Sequence, residues 1–193
     1  ADSLSRLSQA SAIIDQCGPL VTGRFHHELA AVLKDATIGE NRSEHSQVIQ
    51  THFAQAYYEF EAIGHLRYTA VVENNHGYFL LDLGRYDEAE AHLLHAHELF
   101  DRLEDKVRQA QVDDCLGKLY MATDRLDLAE SSLERAIVSL EADDEEALLA
   151  EALTTKGRLF LKLGRHMEGR EVLEGAWRIA ERCGDNEGAG RAL

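Results

Sequence analysis

The chain has 193 residues, 45% of them hydrophobic, and a formal net charge of −15 from 35 acidic and 20 basic residues. This acidic balance disfavours direct binding to nucleic acid or to anionic membranes, because both need a basic surface. No apolar stretch approaches the roughly 20 residues that cross a bilayer. The three cysteines Cys17, Cys115 and Cys183 lie far apart and form no C-x-x-C motif. We therefore expect a globular cytoplasmic protein with buried thiols.

The N-terminal third of the chain, residues 1–65, has helical patterns but no complete repeat. An initial helix is predicted near Ser3 to Gln16, before "CGP" at residues 17–19. The segments "LVTGRFHHELAAVLKDAT" and "SEHSQVIQTHFAQAYYEFEAIG" then predict a helix pair. Phe53 and Ala56, in the second segment, precede Leu93 and Ala96 by the interval that separates the repeats described next. This spacing places the second helix in register with those repeats.

Three windows, which begin at Asn75, Cys115 and Thr155, align without gaps: "NHGYFLLDLGRYDEAEAHLLHAHELF", "CLGKLYMATDRLDLAESSLERAIVSL" and "TKGRLFLKLGRHMEGREVLEGAWRIA". Self-similarity at a fixed period of about 40 residues predicts a solenoid of supersecondary units. The residue types that recur in all three windows are a glycine (Gly77, Gly117, Gly157), an arginine (Arg85, Arg125, Arg165), a leucine (Leu93, Leu133, Leu173) and an alanine (Ala96, Ala136, Ala176).

Each window predicts two helices joined by "LGR" or "TDR". Gly84 and Gly164 are suited to the left-handed conformation that follows a helix C-terminus, and the next arginine can complement the helix dipole. Gly77 lies in mid-helix, where glycine costs about 1 kcal/mol relative to alanine. We interpret it, and its equivalents in the other windows, as the point where the paired helix approaches closely.

The small and aromatic residues of the first helix, followed by Ala–Leu–Ala in the second, resemble the tetratricopeptide repeat. The long period is similar to that of the long-helix subclass found in kinesin light chains and bacterial signalling regulators. HEAT and armadillo repeats have a similar period, but the glycine, the "LGR" turn and the paired alanines favour the tetratricopeptide repeat. The resemblance implies an all-α fold, an α-α solenoid in which antiparallel helix pairs form a right-handed superhelix.

We interpret residues 1–193 as a single solenoid. Its predicted segments are degenerate N-terminal helices at 1–65, repeat 1 at 66–104, repeat 2 at 105–144, repeat 3 at 145–184 and the truncated start of a further helix at 185–193. Because solenoids need a polar capping element, we expect the natural protein to continue beyond Leu193.

The resemblance implies that the first helix of each pair lines a concave groove that binds an extended or helical peptide. Asn75 would bond the peptide backbone, but Cys115 and Thr155 replace this asparagine in the other repeats. The residues of this predicted groove are Asn74, Asn75, Tyr78, Asp114, Lys118, Met121, Arg158, Leu161 and Lys162, of which Tyr78, Met121 and Leu161 would supply apolar contact.

The cations of the predicted groove, Lys118, Arg158 and Lys162, form a basic strip in an otherwise acidic protein. Such a strip could receive a carboxylate or an acidic peptide, since a local reversal of sign steers charged ligands. The alternative is an ordinary set of solvated charges and helix-face ion pairs.

Ten histidines raise the question of a metal site, with His92 and His95 three residues apart on one helix. No H-E-x-x-H motif, cysteine cluster or carboxylate at helical spacing accompanies them, so we predict no metal and no cofactor. The sequence also has no nucleophile elbow, phosphate-binding loop or paired-carboxylate motif. We therefore do not expect an enzyme.

Three segments, "CGPLVTGRFHHELAAVL", "RYTAVVENNHGYFLLDLGRYDEAEAHL" and "AEALTTKGRLFLKLGR", also resemble the repeat region of bacterial regulators that carry a C-terminal Fis-type helix-turn-helix. This resemblance implies a protein- or peptide-binding module, the sensing or partner-binding part of a larger bacterial regulatory protein, with no direct DNA contact of its own. The alternatives are a free-standing signalling scaffold and a small-molecule or metal-binding sensor module.

Overall fold

The computed structural model describes residue 14, residues 16–36 and residues 42–192. The helix predicted near Ser3 to Gln16 lies almost entirely outside these residues. The described part of the chain has helices and turns without any strand, which confirms the all-α prediction. The helices are α1 (Pro19–Ala36), α2 (Arg42–Ala62), α3 (Leu66–Asp82), α4 (Tyr86–Arg102), α5 (Lys106–Ala122), α6 (Leu126–Ala142), α7 (Glu146–Lys162), α8 (His166–Cys183) and α9 (Asn186–Ala192).

The chain divides into two compact units, unit 1 at Ala1–Leu99 and unit 2 at Phe100–Leu193. In unit 1, α2 packs against both α1 and α3. In unit 2, each helix from α5 to α8 packs against the helix that follows it. Short turns between packed neighbours make successive helices antiparallel. The first helices of successive pairs also touch, α1 with α3 in unit 1 and α5 with α7 in unit 2. This arrangement is an α-α solenoid.

A left-handed residue follows every helix end from α2 to α8, at even intervals along the chain. After it, a backbone N–H donates to the carbonyl five residues earlier, as from Arg85 to Leu80 at 3.0 Å. This hydrogen bond satisfies a carbonyl that the helix end leaves unpaired. The positive φ angles predicted for Gly84 and Gly164 are confirmed. The left-handed residues are Gly64, Gly84, Glu104, Asp124, Asp144, Gly164 and Gly184, with φ between 54° and 77°.

The recurring mid-helix glycine lies against the recurring leucine of its paired helix. A Cβ at Gly77 would lie 2.8 Å from Cγ of Leu93, and one at Gly117 would lie 2.7 Å from Cγ of Leu133. These separations are well inside van der Waals contact, so a larger residue would push the helices apart. The prediction that the glycine permits close packing is confirmed.

In unit 1, α2 keeps the register of the later second helices. Phe53 and Ala56 are as buried as Leu93 and Ala96, their equivalents in repeat 1. The close contact between α1 and α2 differs from those of the later pairs, however, because Gly23 of α1 approaches the ring of Phe60 rather than a leucine. The first pair therefore uses the same device of a glycine against a large apolar side chain, at another position.

The cysteines differ from expectation. Cys115 is buried in α5, but Cys17 and Cys183 are exposed. Cys17 lies before α1 and Cys183 lies in the last turn of α8. The prediction of three buried thiols was wrong for these two.

Candidate functional site

In unit 1, the predicted groove residues Asn75 and Tyr78 contact α1. Nδ2 of Asn75 lies 2.8 Å from Nε2 of His27, and Nζ of Lys34 lies 5.6 Å from the centre of the Tyr78 ring. The Asn75 amide, expected to bond a peptide backbone, thus bonds a neighbouring helix. Oδ1 of Asn74 is buried without a hydrogen-bond partner among the described residues.

In unit 2, Lys118 joins α5 to α7. Its Nζ lies 2.7 Å from Oδ2 of Asp114, one turn earlier on α5, and 2.9 Å from Oε1 of Glu151 on α7. Burial opposes the charged form of Lys118, but the nearby carboxylates, Asp114 above all, outweigh it and raise its pKa. Lys118 is therefore a partly buried cation, with a side chain 25% exposed, that pairs with the buried carboxylate of Asp114.

The other two cations of the predicted basic strip also contact a neighbouring element. Nζ of Lys162 donates to the carbonyl of Met121 at 2.6 Å and lies 3.1 Å from Oδ1 of Asp124. Nη2 of Arg158 donates to the carbonyl of Arg191 in α9 at 3.0 Å. The predicted strip thus links α7 to both neighbouring first helices, and a ligand would have to replace these partners. Its role in binding stays a prediction.

Leu161 lies at an open apolar cavity of about 280 Å³ in unit 2. The chain's single tryptophan, Trp177, and Leu173 are only partly buried there, whereas their counterparts in repeat 2, Ile137 and Leu133, are buried. The equivalent apolar side chains are thus covered by other parts of the protein in repeat 2, whereas in repeat 3 they line an open cavity. Its lining residues are Leu161, Arg170, Leu173, Glu174, Trp177 and Ala192.

A buried carboxylate in unit 1 was missed by the sequence analysis. Glu73 of α3 is 5% exposed, and its Oε2 lies 2.9 Å from Nδ1 of His92 and 3.3 Å from Nδ1 of His95. Asp113, at the equivalent position of repeat 2, is also buried and pairs with Arg135 at 2.5 Å. An acidic residue at the same place in two repeats was the signal that could have identified this site.

The histidines of unit 1 do not converge as metal ligands do. Across the described parts of the chain, no group of three or more His, Cys, Asp or Glu side chains is arranged to hold a metal ion. The same residues contain no helix that is both long and apolar enough to span a membrane.

The architecture is that of a helical repeat protein. The solved structures similar to this chain include the crystal structure of BtubC (BKLC) from P. vanneervenii, with a TM-score of 0.74 and 19% identity over 95% of this chain and 76% of that chain. At this identity the similarity establishes the fold. A search of curated proteins finds no match.

The repeats themselves are tetratricopeptide repeats over residues 68–142, which match the model of that family. The match covers α3 to α6 and confirms the resemblance for repeats 1 and 2. Repeat 3 lies beyond the matched residues but has the same spacing of helices, left-handed turns and facing glycine. Tetratricopeptide repeats generally mediate protein–protein interactions.

Proposed function

We propose that the chain is a protein- or peptide-binding module and the partner-binding part of a larger bacterial regulatory protein. The observation that carries the proposal is the family match over residues 68–142, joined to a sequence unit that repeats three times. The resemblance of three segments of the chain to the repeat region of regulators with a Fis-type helix-turn-helix supports the regulatory setting. We propose no catalytic role.

The preferred binding surface in unit 2 is the C-terminal end of α7. There, Lys162 pairs with Asp124 and the neighbouring Leu161 lines the cavity. Lys162 has a side chain 41% exposed, and its partner Asp124 is 79% exposed. Because an exposed ion pair contributes at most about 1 kcal/mol, an acidic group of a partner could replace Asp124 at small cost. Lys118 is a poorer ligand site, since removing it from Asp114 would leave a buried charge without a partner.

The cavity beside Leu161 gives the second element of recognition. Its apolar lining suits a leucine, methionine or aromatic side chain of a partner. Its volume of about 280 Å³ lies just below the roughly 300–1,000 Å³ of small-molecule pockets. This size favours a peptide side chain over a free metabolite. The partner we propose therefore places an acidic residue near an apolar one.

Affinity capture with the full-length protein would provide a partner, and two variants would test the surface. Lys162→Glu replaces attraction of an acidic group by repulsion, so it changes the interaction by more than the roughly 1 kcal/mol that one exposed ion pair contributes. We expect at least about a tenfold loss of affinity. Leu161→Asp should also weaken binding, because it places a charge in the lining of the apolar cavity.

Val138→Asp is the matched control for Leu161→Asp, because Val138 is an exposed apolar residue of α6 that does not line the cavity. Unchanged affinity in both α7 variants, with a loss only in Val138→Asp, would move the site to the second helices. Failure of the full-length protein to capture any protein or peptide would contradict the interaction function itself.

A further inference from the structure

Histidines are distributed unequally between the two units. Unit 1 contains nine of the ten, and unit 2 contains only His166. Several of the nine lie at contacts between helices rather than on the open surface. Those with described contacts to another helix are His26 and His27 of α1, His52 of α2, His76 of α3, and His92 and His95 of α4.

The contact between α1 and α2 includes a histidine pair. Nδ1 of His26 lies 3.0 Å from Nδ1 of His52, and the two rings stack with centroids 5.1 Å apart. One nitrogen must donate a proton and the other must accept it. Protonation of both rings would remove the hydrogen bond and place two positive charges together. Burial, and then His26, lower the pKa of His52 accordingly.

Between α3 and its neighbours, His76 is enclosed by two rings. Its centroid lies 5.2 Å from that of Phe53 in α2 and 4.3 Å from that of His92 in α4. Its Nε2 is buried and has no hydrogen-bond partner in the described part of the chain. A proton added there would be a buried charge next to a second imidazole.

The contact between α1 and α3 also requires a neutral histidine. Nδ2 of Asn75 faces Nε2 of His27 at 2.8 Å, so this amide can donate only while that nitrogen is unprotonated. Burial lowers the pKa of His27, against a smaller opposing effect of Glu28.

One carboxylate in unit 1 acts in the opposite direction and favours the protonated form of His76. The Glu73 carboxylate lies between His92 and His95, and its charge acts against the lowering of the His76 pKa. A positive charge on His92 would lie against His76 and make protonation of His76 still less favourable. The remaining groups that act on His76 are Glu73, Arg85 and Glu88.

Unit 2 has non-titrating residues at the same repeat positions. Leu116 takes the place of His76, and Arg135, which stays charged at any physiological pH, takes the place of His95 beside Asp113. At these two positions, unit 2 thus lacks the imidazole that unit 1 has.

We propose that unit 1 is a pH-sensitive element, whose helix packing loosens on mild acidification while unit 2 does not respond. Burial, followed by the charge of His92, lowers the pKa of His76 to about 4, against about 6.5 in an unfolded chain. Its contribution to stability is complete above pH 6.5 and is lost as the pH falls from 6.5 towards 4. From these two values, His76 alone should raise the opening equilibrium of unit 1 roughly twentyfold between pH 7 and pH 5.

Hydrogen–deuterium exchange of the whole chain at pH 7 and pH 5 tests the proposal. Labelling times are scaled to the intrinsic exchange rate at each pH, and peptides from α1 to α3 are compared with peptides from α5 to α8. We expect protection to fall by about tenfold or more in unit 1 and to change little in unit 2. An equal change in both units, or none in unit 1, would overturn the proposal, and this comparison needs no variant.

Two substitutions then assign the response. His76→Leu introduces the residue that repeat 2 has at this position, and should remove most of the pH-dependent loss of protection in unit 1. His166→Asn, at an exposed residue of unit 2, is the control and should leave the response unchanged. A full response in His76→Leu would contradict the role of His76, whereas a response abolished by His166→Asn would contradict the assignment to unit 1.

Discussion

Arg165 and Glu130 join two successive helix pairs of unit 2, with Nη1 of the arginine 2.8 Å from Oε1 of the glutamate. The Arg165 guanidinium also stacks 3.9 Å from the centre of the Phe160 ring. In unit 1, Arg85 donates to Gln50, which occupies the position equivalent to Glu130. The arginine that ends each "LGR" or "TDR" turn was expected to complement the helix dipole. Its observed side-chain partners show that it also connects neighbouring repeats.

Arg165→Ala should lower the midpoint of thermal unfolding, because it removes both the link to Glu130 and the stacking on Phe160. Arg165→Lys should recover only part of the loss, since an ammonium cannot stack and bond as a planar guanidinium does. Melting in low salt and in about 1 M salt separates the two contributions, because salt screens the ion pair. Arg170→Ala, at a more exposed arginine whose ion pair is with Glu174 on its own helix, is the control. A loss of equal size there would contradict a special role for Arg165.

Gly117→Ala should destabilise the protein by about 1–3 kcal/mol through overpacking against Leu133. Gly175 provides a matched control, since it also lies within a helix but a Cβ there would meet nothing within 4 Å. Gly175→Ala should raise stability by up to about 1 kcal/mol through helix propensity. Urea unfolding of both variants measures the difference. Stabilisation by both substitutions would show that the close approach at Gly117 is not needed.

The left-handed turns predict that two substitutions change the stability of the fold in opposite directions. Gly84 has a φ of 73°, and Glu104 has one of 54° at the equivalent position of the next turn. Because a left-handed conformation costs a residue with a Cβ roughly 1–2 kcal/mol, Gly84→Ala should destabilise the fold and Glu104→Gly should stabilise it, each by about 1 kcal/mol. Chemical denaturation measures both. A shift in the same direction for the two variants would contradict the common turn geometry.

The ion pair between Lys118 and Asp114 predicts that substitutions of the two residues change the free energy of unfolding non-additively. Lys118→Met should cost about 3 kcal/mol or more, because it leaves the Asp114 carboxylate buried without a cation. The double variant Asp114→Leu with Lys118→Met should lose less than the single variant, since no charge remains. Equilibrium unfolding of the wild type, both single variants and the double variant gives the coupling between the residues. Additive losses would show that Lys118 and Asp114 act independently.

The sequence predicted those features that depend on residues close to each other or repeated at a fixed period. Gly77 and Leu93 belong to one helix pair, and their recurrence revealed both the pairing and the close contact. Gly84 could be recognised as a left-handed residue because glycine is favoured there. Asp124 aligns with Gly84 in the repeat, but Glu104 and Asp144, which follow the second helices, have no glycine in their own turns to mark the conformation.

The partners of the predicted groove were less accessible to sequence reasoning. Lys118 pairs with Glu151, and Lys162 with the carbonyl of Met121, each across the boundary between two repeats. Such pairs depend on how one repeat is placed against the next, which a pattern within each repeat does not specify. Several histidine contacts of unit 1, such as that of His76 with His92, lie within one helix pair. They were missed because histidine does not recur at these positions in the other repeats.

The even spacing of the left-handed turns has a consequence for how such a chain can change during evolution. From Leu66 onward, each turn presents the same backbone conformation to the helix before it and to the helix after it. Recombination between neighbouring copies of the gene segment would therefore preserve the reading frame and every junction while it adds or deletes a whole helix pair. A change of one or two residues would instead rotate all later helices out of register. Variants of different length should accordingly differ by whole repeats.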